Sequence, residues 1–227
     1  MAGQTIGEVL PSAIGVALSP IPIVAVILML FSPRAKTNGP AFLAGWLAGL
    51  TVVGAIVLAL AAAGNLTADE SGETDSSSTL KLALGLLLLL LAVKNWRDRP
   101  REGDEPAVPR WMSGIDSFAA PRSFGLAFLL SAVNPKNLLL TIAAAISIAQ
   151  AGLSTGEEIV VLIVFIVLAS IVVLLPVLTY LLVPDRAAEW LESLKLWLVA
   201  SNNAVLAVIF LIFGVKLIGE AIGGFSF

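Results

Sequence analysis

The chain contains no cysteine and no histidine. The first absence removes disulfides, thiol redox chemistry and thiolate metal sites, and the second removes imidazole proton relays. Charged residues make up only 13% of the 227 positions, against ~25% in an ordinary soluble domain. No aspartate or glutamate falls deep inside any long apolar run, and sites for divalent metal or coupled sodium are generally built from buried oxygen-rich or imidazole ligands. No metal site is expected. A Gly-x-x-x-x-Gly-Lys-Ser/Thr phosphate loop is missing, as is any Ser/His/Asp or Cys/His set. Neither ATP hydrolysis by that route nor hydrolytic catalysis follows from such a sequence. The expectation is a protein that is not an enzyme and carries no cofactor. Nucleic acid is not an expected partner either, because the one basic cluster, Arg97, Arg99 and Arg101, is interleaved with Asp98, Glu102, Asp104 and Glu105.

What is present is apolar: 58% of the residues are hydrophobic, so the solvent for this chain is lipid. Met1–Gly7 lacks the basic residues of a cleavable signal, and the apolar run that follows reads as the first helix of the mature protein. Long apolar windows with few charges supply six candidate spans, Val9–Phe31, Ala41–Ala63, Leu80–Trp96, Phe124–Ala149, Ile159–Val183 and Leu196–Ile222. Each is near the ~20 residues that a helix needs to cross the hydrocarbon core. The third is short and bracketed by Lys81 and Lys94, whose stems can snorkel. Strands of a membrane barrel would alternate in polarity, and the leucine run of the third window does not.

Loop charges give a direction. Arg34, Lys36, Arg97, Arg99, Arg101, Arg110, Arg186 and Lys195 fall after the first, third and fifth spans, whereas Asp69, Glu70, Glu73, Asp75, Glu157 and Glu158 lie on the other side. The positive-inside rule then places both termini outside a multi-pass protein of the cytoplasmic (inner) membrane. The expected fold is an all-α membrane protein of six transmembrane helices, arranged as two inverted three-helix repeats, N-out and C-out. Residues 1–97 form the first repeat, 98–121 a cytoplasmic linker with an interfacial stretch near Trp111, and 122–227 the second repeat. Asn65–Ser78 reads as a flexible acidic loop. Repetition rests on Ser19-Pro20 aligning with Asn134-Pro135, and Ala92-Val93-Lys94 with Gly214-Val215-Lys216. A three-span unit repeated once is necessarily inverted, an arrangement associated with alternating access around a midplane site.

Two of these spans are interrupted, by Ser19-Pro20-Ile21-Pro22 and by Asn134-Pro135-Lys136-Asn137. At the helical rise of ~1.5 Å per residue both interruptions lie about 15 Å into their spans, halfway through a ~30 Å core. Ser-Pro and Asn-Pro each pair an N-cap residue with the residue favoured at the first helical position. Each span therefore either restarts as a half-helix at the membrane centre or is merely kinked there. A restarted helix presents free N–H groups and the positive end of its dipole to an anion. Lys136 favours that reading, since a lysine at a helix centre costs about 3 kcal/mol. The candidate substrate-binding residues are Ser19, Pro20, Pro22, Asn134, Pro135, Lys136 and Asn137. Lys94 and Lys216 read as snorkelling anchors. Asn202 and Asn203 suit either a cap or a bond to a neighbouring span, and Gly45-x-x-x-Gly49 suits a helix-packing face.

Trp111-Met112, Ile115-Asp116, Gly125 and Asn134-Pro135-Lys136-Asn137 resemble the peptidoglycolipid addressing protein (GAP) family of the lysine-exporter (LysE) superfamily. The resemblance covers essentially the whole chain. It implies an export-type transporter moving envelope lipids or glycolipids in mycobacteria and related actinobacteria, and it permits a homodimer. The first half departs from the pattern in having no lysine beside Ser19-Pro20. The leading expectation is a secondary exporter of an amphipathic envelope lipid or glycolipid with a polar or anionic headgroup, working by alternating access. A small-solute exporter of the amino-acid type and a non-transporting scaffold for lipid assembly are the alternatives. A lateral opening at the breaks distinguishes the first, a sealed cavity the second.

Overall fold

The computed structural model describes residues 2–63, 75–99 and 117–224. Its regular elements are α-helices, and no strand occurs among the described residues. In order they are α1 (Ala2–Ala17), α2 (Pro20–Leu30), α3 (Ala35–Ala62), α4 (Asp75–Arg97), α5 (Ala120–Ala132), α6 (Pro135–Gln150), α7 (Thr155–Leu182) and α8 (Pro184–Gly224). A broken helix pair, a helix of 28 residues and a further helix therefore occur twice.

α3 and α7 are each long and apolar enough to cross a membrane. The pairs α1–α2 and α5–α6 bend by 56° and 61° at their breaks, and counting each pair as one span raises the candidates among the described residues to four. Many large aliphatic side chains on these helices point outward, among them Ile163 and Val167 of α7. An apolar outer surface of that kind belongs in lipid.

Helices occupy all six expected intervals, and two connections differ from expectation. Asp75–Ser78, read as the end of a loop, already belongs to α4. Arg186 and Lys195, read as loop residues, lie within α8, which begins straight after Val183. The rest of the acidic loop and residues 100–116 of the linker, Trp111 among them, lie outside the described residues.

The chain divides into two compact units, Met1–Leu66 with Val108–Leu196, and Thr67–Ala107 with Trp197–Phe227. In the first, α3 packs along α5 and α6, α1 lies against α6 and α7, and α2 rests on α3 and α7. Lipid tails are as apolar as leucine, so close backbone approach and buried hydrogen bonds must hold such helices together. Gly45 and Gly49 supply the approach. A methyl group on Gly45 would strike the Phe124 carbonyl oxygen, and one on Gly49 the Ser131 hydroxyl, so this glycine pair is the face on which α5 packs. Phe42, Trp46 and Leu50 of α3 and Phe165, Ala169 and Val173 of α7 have no exposed surface. Asn38 of α3 donates through Nδ2 to the Phe118 carbonyl at 2.9 Å, fixing the chain ahead of α5.

The link between α6 and α7 is tight. Ala151 caps α6, and Gly152 turns the chain with φ 63°, a left-handed conformation that suits glycine. The backbone N–H of Ser154 then donates to the Glu157 carboxylate at 3.0 Å, and its hydroxyl donates to the same oxygen at 2.8 Å.

Within the second unit α4 and α8 cross at Gly85 and Gly214, where a methyl on either residue would sit 3.0 Å from the other's carbonyl oxygen. Asn203 Nδ2 donates to the Asp98 carbonyl, which makes it a tie to a neighbouring helix. Lys94 is exposed near the end of α4. The side chains of Asn202 and Lys216 lie outside the described residues.

Candidate functional site

Proline creates both breaks by removing a backbone donor and clashing with the preceding turn. In an unbroken helix the Leu130 carbonyl would accept from the N–H of residue 134. At the second break that N–H turns instead to Leu129, at 3.0 Å. Asn137 fills the gap from one turn into α6, its Nδ2 donating to the Leu130 oxygen at 2.9 Å. Asn134 acts as the expected N-cap, its Oδ1 accepting from the Lys136 N–H at 3.1 Å.

The first break is built differently. Ser19 precedes Pro20, the first residue of α2, but its side chain makes no capping bond. The expected cap is therefore corrected: Ser19 Oγ donates to Asn137 Oδ1 at 2.8 Å, across 118 residues of sequence. Both partners are buried, Asn137 completely. The Lys136 ammonium reaches the Leu18 carbonyl at 3.1 Å. Lysine thus sits at the end of α1, where unpaired carbonyls and the negative end of the dipole favour a cation. The sequence had placed it beside two helix N-termini.

Two bonds therefore join the interruptions directly, one between side chains and one from side chain to backbone. Of the expected site residues, Ser19, Lys136 and Asn137 are brought together, and Asn134 adjoins them as the cap of α6. Pro135 opens α6 and is exposed, while Pro22 is buried inside α2. No bond from Pro20 or Pro22 to the second break occurs among the described residues. Sequence reasoning missed the carbonyls of Leu18 and Leu130, because backbone acceptors leave no mark on residue type. It also missed Thr141, buried one turn beyond Asn137 and donating to its carbonyl at 2.8 Å.

The cluster has donors to spare. Two of the three ammonium N–H groups of Lys136, and the amide nitrogen of Asn134, have no partner among the described residues. Donors without matching acceptors suit an anion or a strongly polar oxygen-rich group. Around them the surface is apolar: Val133 is 57% and Leu139 65% exposed, and Leu18 and Ile21 are exposed as well. Exposed apolar residues thus flank both breaks along the chain.

Fold and site together define an all-helical membrane protein whose two broken helices are fastened to each other around a lysine. The chain belongs to the family described as Sap, sulfolipid-1-addressing protein (SfLAP), which it matches over residues 9–223. That range includes both breaks and all of the residues that join them. The match carries the lipid-addressing part of the resemblance drawn from the sequence and does not extend to the lysine-exporter superfamily. No curated protein and no solved structure matches the chain.

Proposed function

We propose that this protein is a secondary exporter that moves an amphipathic envelope lipid or glycolipid across the cytoplasmic membrane. The observation that carries the proposal is the joining of the two breaks, Ser19 to Asn137 and Lys136 to Leu18, with exposed apolar residues flanking each break in sequence. A lipid can leave its tails against Leu18, Ile21, Val133 and Leu139 while its polar or anionic headgroup meets the ammonium of Lys136. That geometry favours a lipid over a small solute, which has no tails to accommodate. Membership of a lipid-addressing family points the same way. A positive charge at the bend between helices supports transport over catalysis or scaffolding.

In this reading the chain crosses the membrane six times with both termini outside, 1–97 and 122–227 are inverted repeats joined by the linker 98–121, and two copies can pair. The twice-repeated order of bent pair, 28-residue helix and further helix supports it. The lysine-exporter superfamily placement belongs to the same proposal. Headgroup binding draws the ammonium off the Leu18 carbonyl, and the two bent pairs then change their angle. Cells carrying Lys136→Ala are expected to insert the protein normally but to lose surface delivery of the lipid, read by comparing surface-extracted and total envelope lipids. Lys136→Arg, which keeps the charge, should retain part of the delivery. Full delivery by Lys136→Ala would overturn the proposal.

A further inference from the structure

α1 and α6 run antiparallel, with Ser19 against Asn137 at one end. At the other end they enclose a cleft of about 340 Å³ lined by Gln4, Thr5, Glu8, Ser147, Gln150 and Ala151. Glu8 and the end of α1 are nine residues apart, about 14 Å along the helix, and the cleft shares no residue with the joined breaks. Between the two lie Val9, Ala13 and Val16 of α1 and Ala144 and Ala145 of α6, all essentially without exposed surface. The cleft is therefore a separate place.

Its chemistry is the opposite of that at Lys136. The lining offers one carboxylate, two carboxamides and two hydroxyls, with no lysine, no arginine and no aromatic ring. No lysine or arginine lines the cleft, so an anion entering it would face the Glu8 carboxylate. Calcium takes roughly 6–8 oxygen ligands, and no group of three or more acidic, histidine or cysteine residues suited to a metal occurs among the described residues. A quaternary ammonium is typically held over aromatic faces. A neutral, hydroxyl-rich group fits what is there. Sugar hydroxyls donate and accept, a carboxylate accepts, and a carboxamide does both. Gln4 Nε2 holds Glu8 Oε1 at 3.1 Å, which orients the carboxylate and leaves its second oxygen to accept from a ligand. The volume lies in the range of small-molecule sites, about 300–1,000 Å³.

We infer that this cleft binds carbohydrate and, resting on the proposed export of a glycolipid, forms a second site, remote from the breaks, for the sugar portion of that lipid. The test uses the full chain purified in a polyoxyethylene detergent, because sugar-headed detergents would occupy the cleft. Three probes of one alkyl length are titrated by native mass spectrometry: an alkyl glucoside, an alkyl phosphate and an alkyl trimethylammonium. Saturable binding of the glucoside is expected, weakened about tenfold by Glu8→Ala or Gln150→Ala, the loss of one good ligand hydrogen bond. Alkyl phosphate binding should be unchanged in those variants. Lys136→Gln should leave glucoside binding intact, so failure at the breaks and failure at the cleft are told apart. Glucoside binding that is unaffected by both cleft substitutions would overturn the inference. So would a preference for the trimethylammonium probe that disappears in Glu8→Ala.

Discussion

The two breaks are the same backbone event with different upkeep. The second supports itself: Asn134 caps α6, and Asn137 takes up the carbonyl that α5 leaves behind. The first has no side-chain cap of its own. Its serine is directed outward to Asn137, and the carbonyl at its exit is served by Lys136. Both side-chain bonds at the first break therefore involve a residue of the second. One of them is a charge that a competing anion can attract away. An interruption that is complete in itself suits a fixed platform, and one that relies on its neighbour suits a moving part.

The largest structural effect is expected from outside the breaks. Gly49→Leu forces a branched side chain into the space held by the Ser131 hydroxyl, parting α3 from α5, the helix that leads into the second break. Overpacking typically costs about 1–3 kcal/mol, and here the obstacle includes backbone. The variant should insert but lose compactness, seen as a lower melting temperature in detergent. Unchanged melting would mean that α5 does not need this contact to hold its break. A smaller and more selective effect is expected at the joint. A double-mutant cycle with Ser19→Ala and Asn137→Ala should give a coupling energy of about 0.6–1.7 kcal/mol, the span found for hydrogen bonds between membrane helices. Additive losses would show that the breaks are neighbours without being coupled. Asn134→Ala should cost least, about 1 kcal/mol for a lost cap, and should leave hydrogen exchange of the Leu18–Ser19 segment unaltered. Loosening there would make the second break less self-sufficient than described.

Much of this was legible in the sequence because lipid simplifies the code. Long apolar windows permit little besides helices, and helices occupy each of them. Pro20 and Pro135 mark the breaks together with the residues Ser19 and Asn134 before them, whereas Pro11, Pro40 and Pro176 lie inside continuous helices. Asn134 was readable as a cap from its residue type. Ser19 was not, because its hydroxyl had a choice between its own helix and a partner 118 residues away, and only the packing of α1 on α6 decides that choice. Lys136 stands out in the sequence as a lysine within an apolar run, yet its partner is a backbone oxygen at the end of another helix, which no spacing rule identifies. The cleft was invisible for a related reason. Gln4 and Glu8 lie one turn apart on α1, and Ser147 and Gln150 lie close together on α6, but only the antiparallel register brings the two sets face to face. Arg186 and Lys195 looked like loop residues because charge marks where lipid ends and is silent on whether the helix ends there too.

The short connection Gly152–Ser154 gives the second break a mechanical reach beyond its own bonds. With Ala151 closing α6 and Ser154 pinned to Glu157 at the start of α7, α6 behaves as a lever pivoted at Val133-Asn134 and shackled at its far tip. In the proposed transport cycle, a swing of α6 at that pivot would therefore pull on the head of α7, a rod of 28 residues.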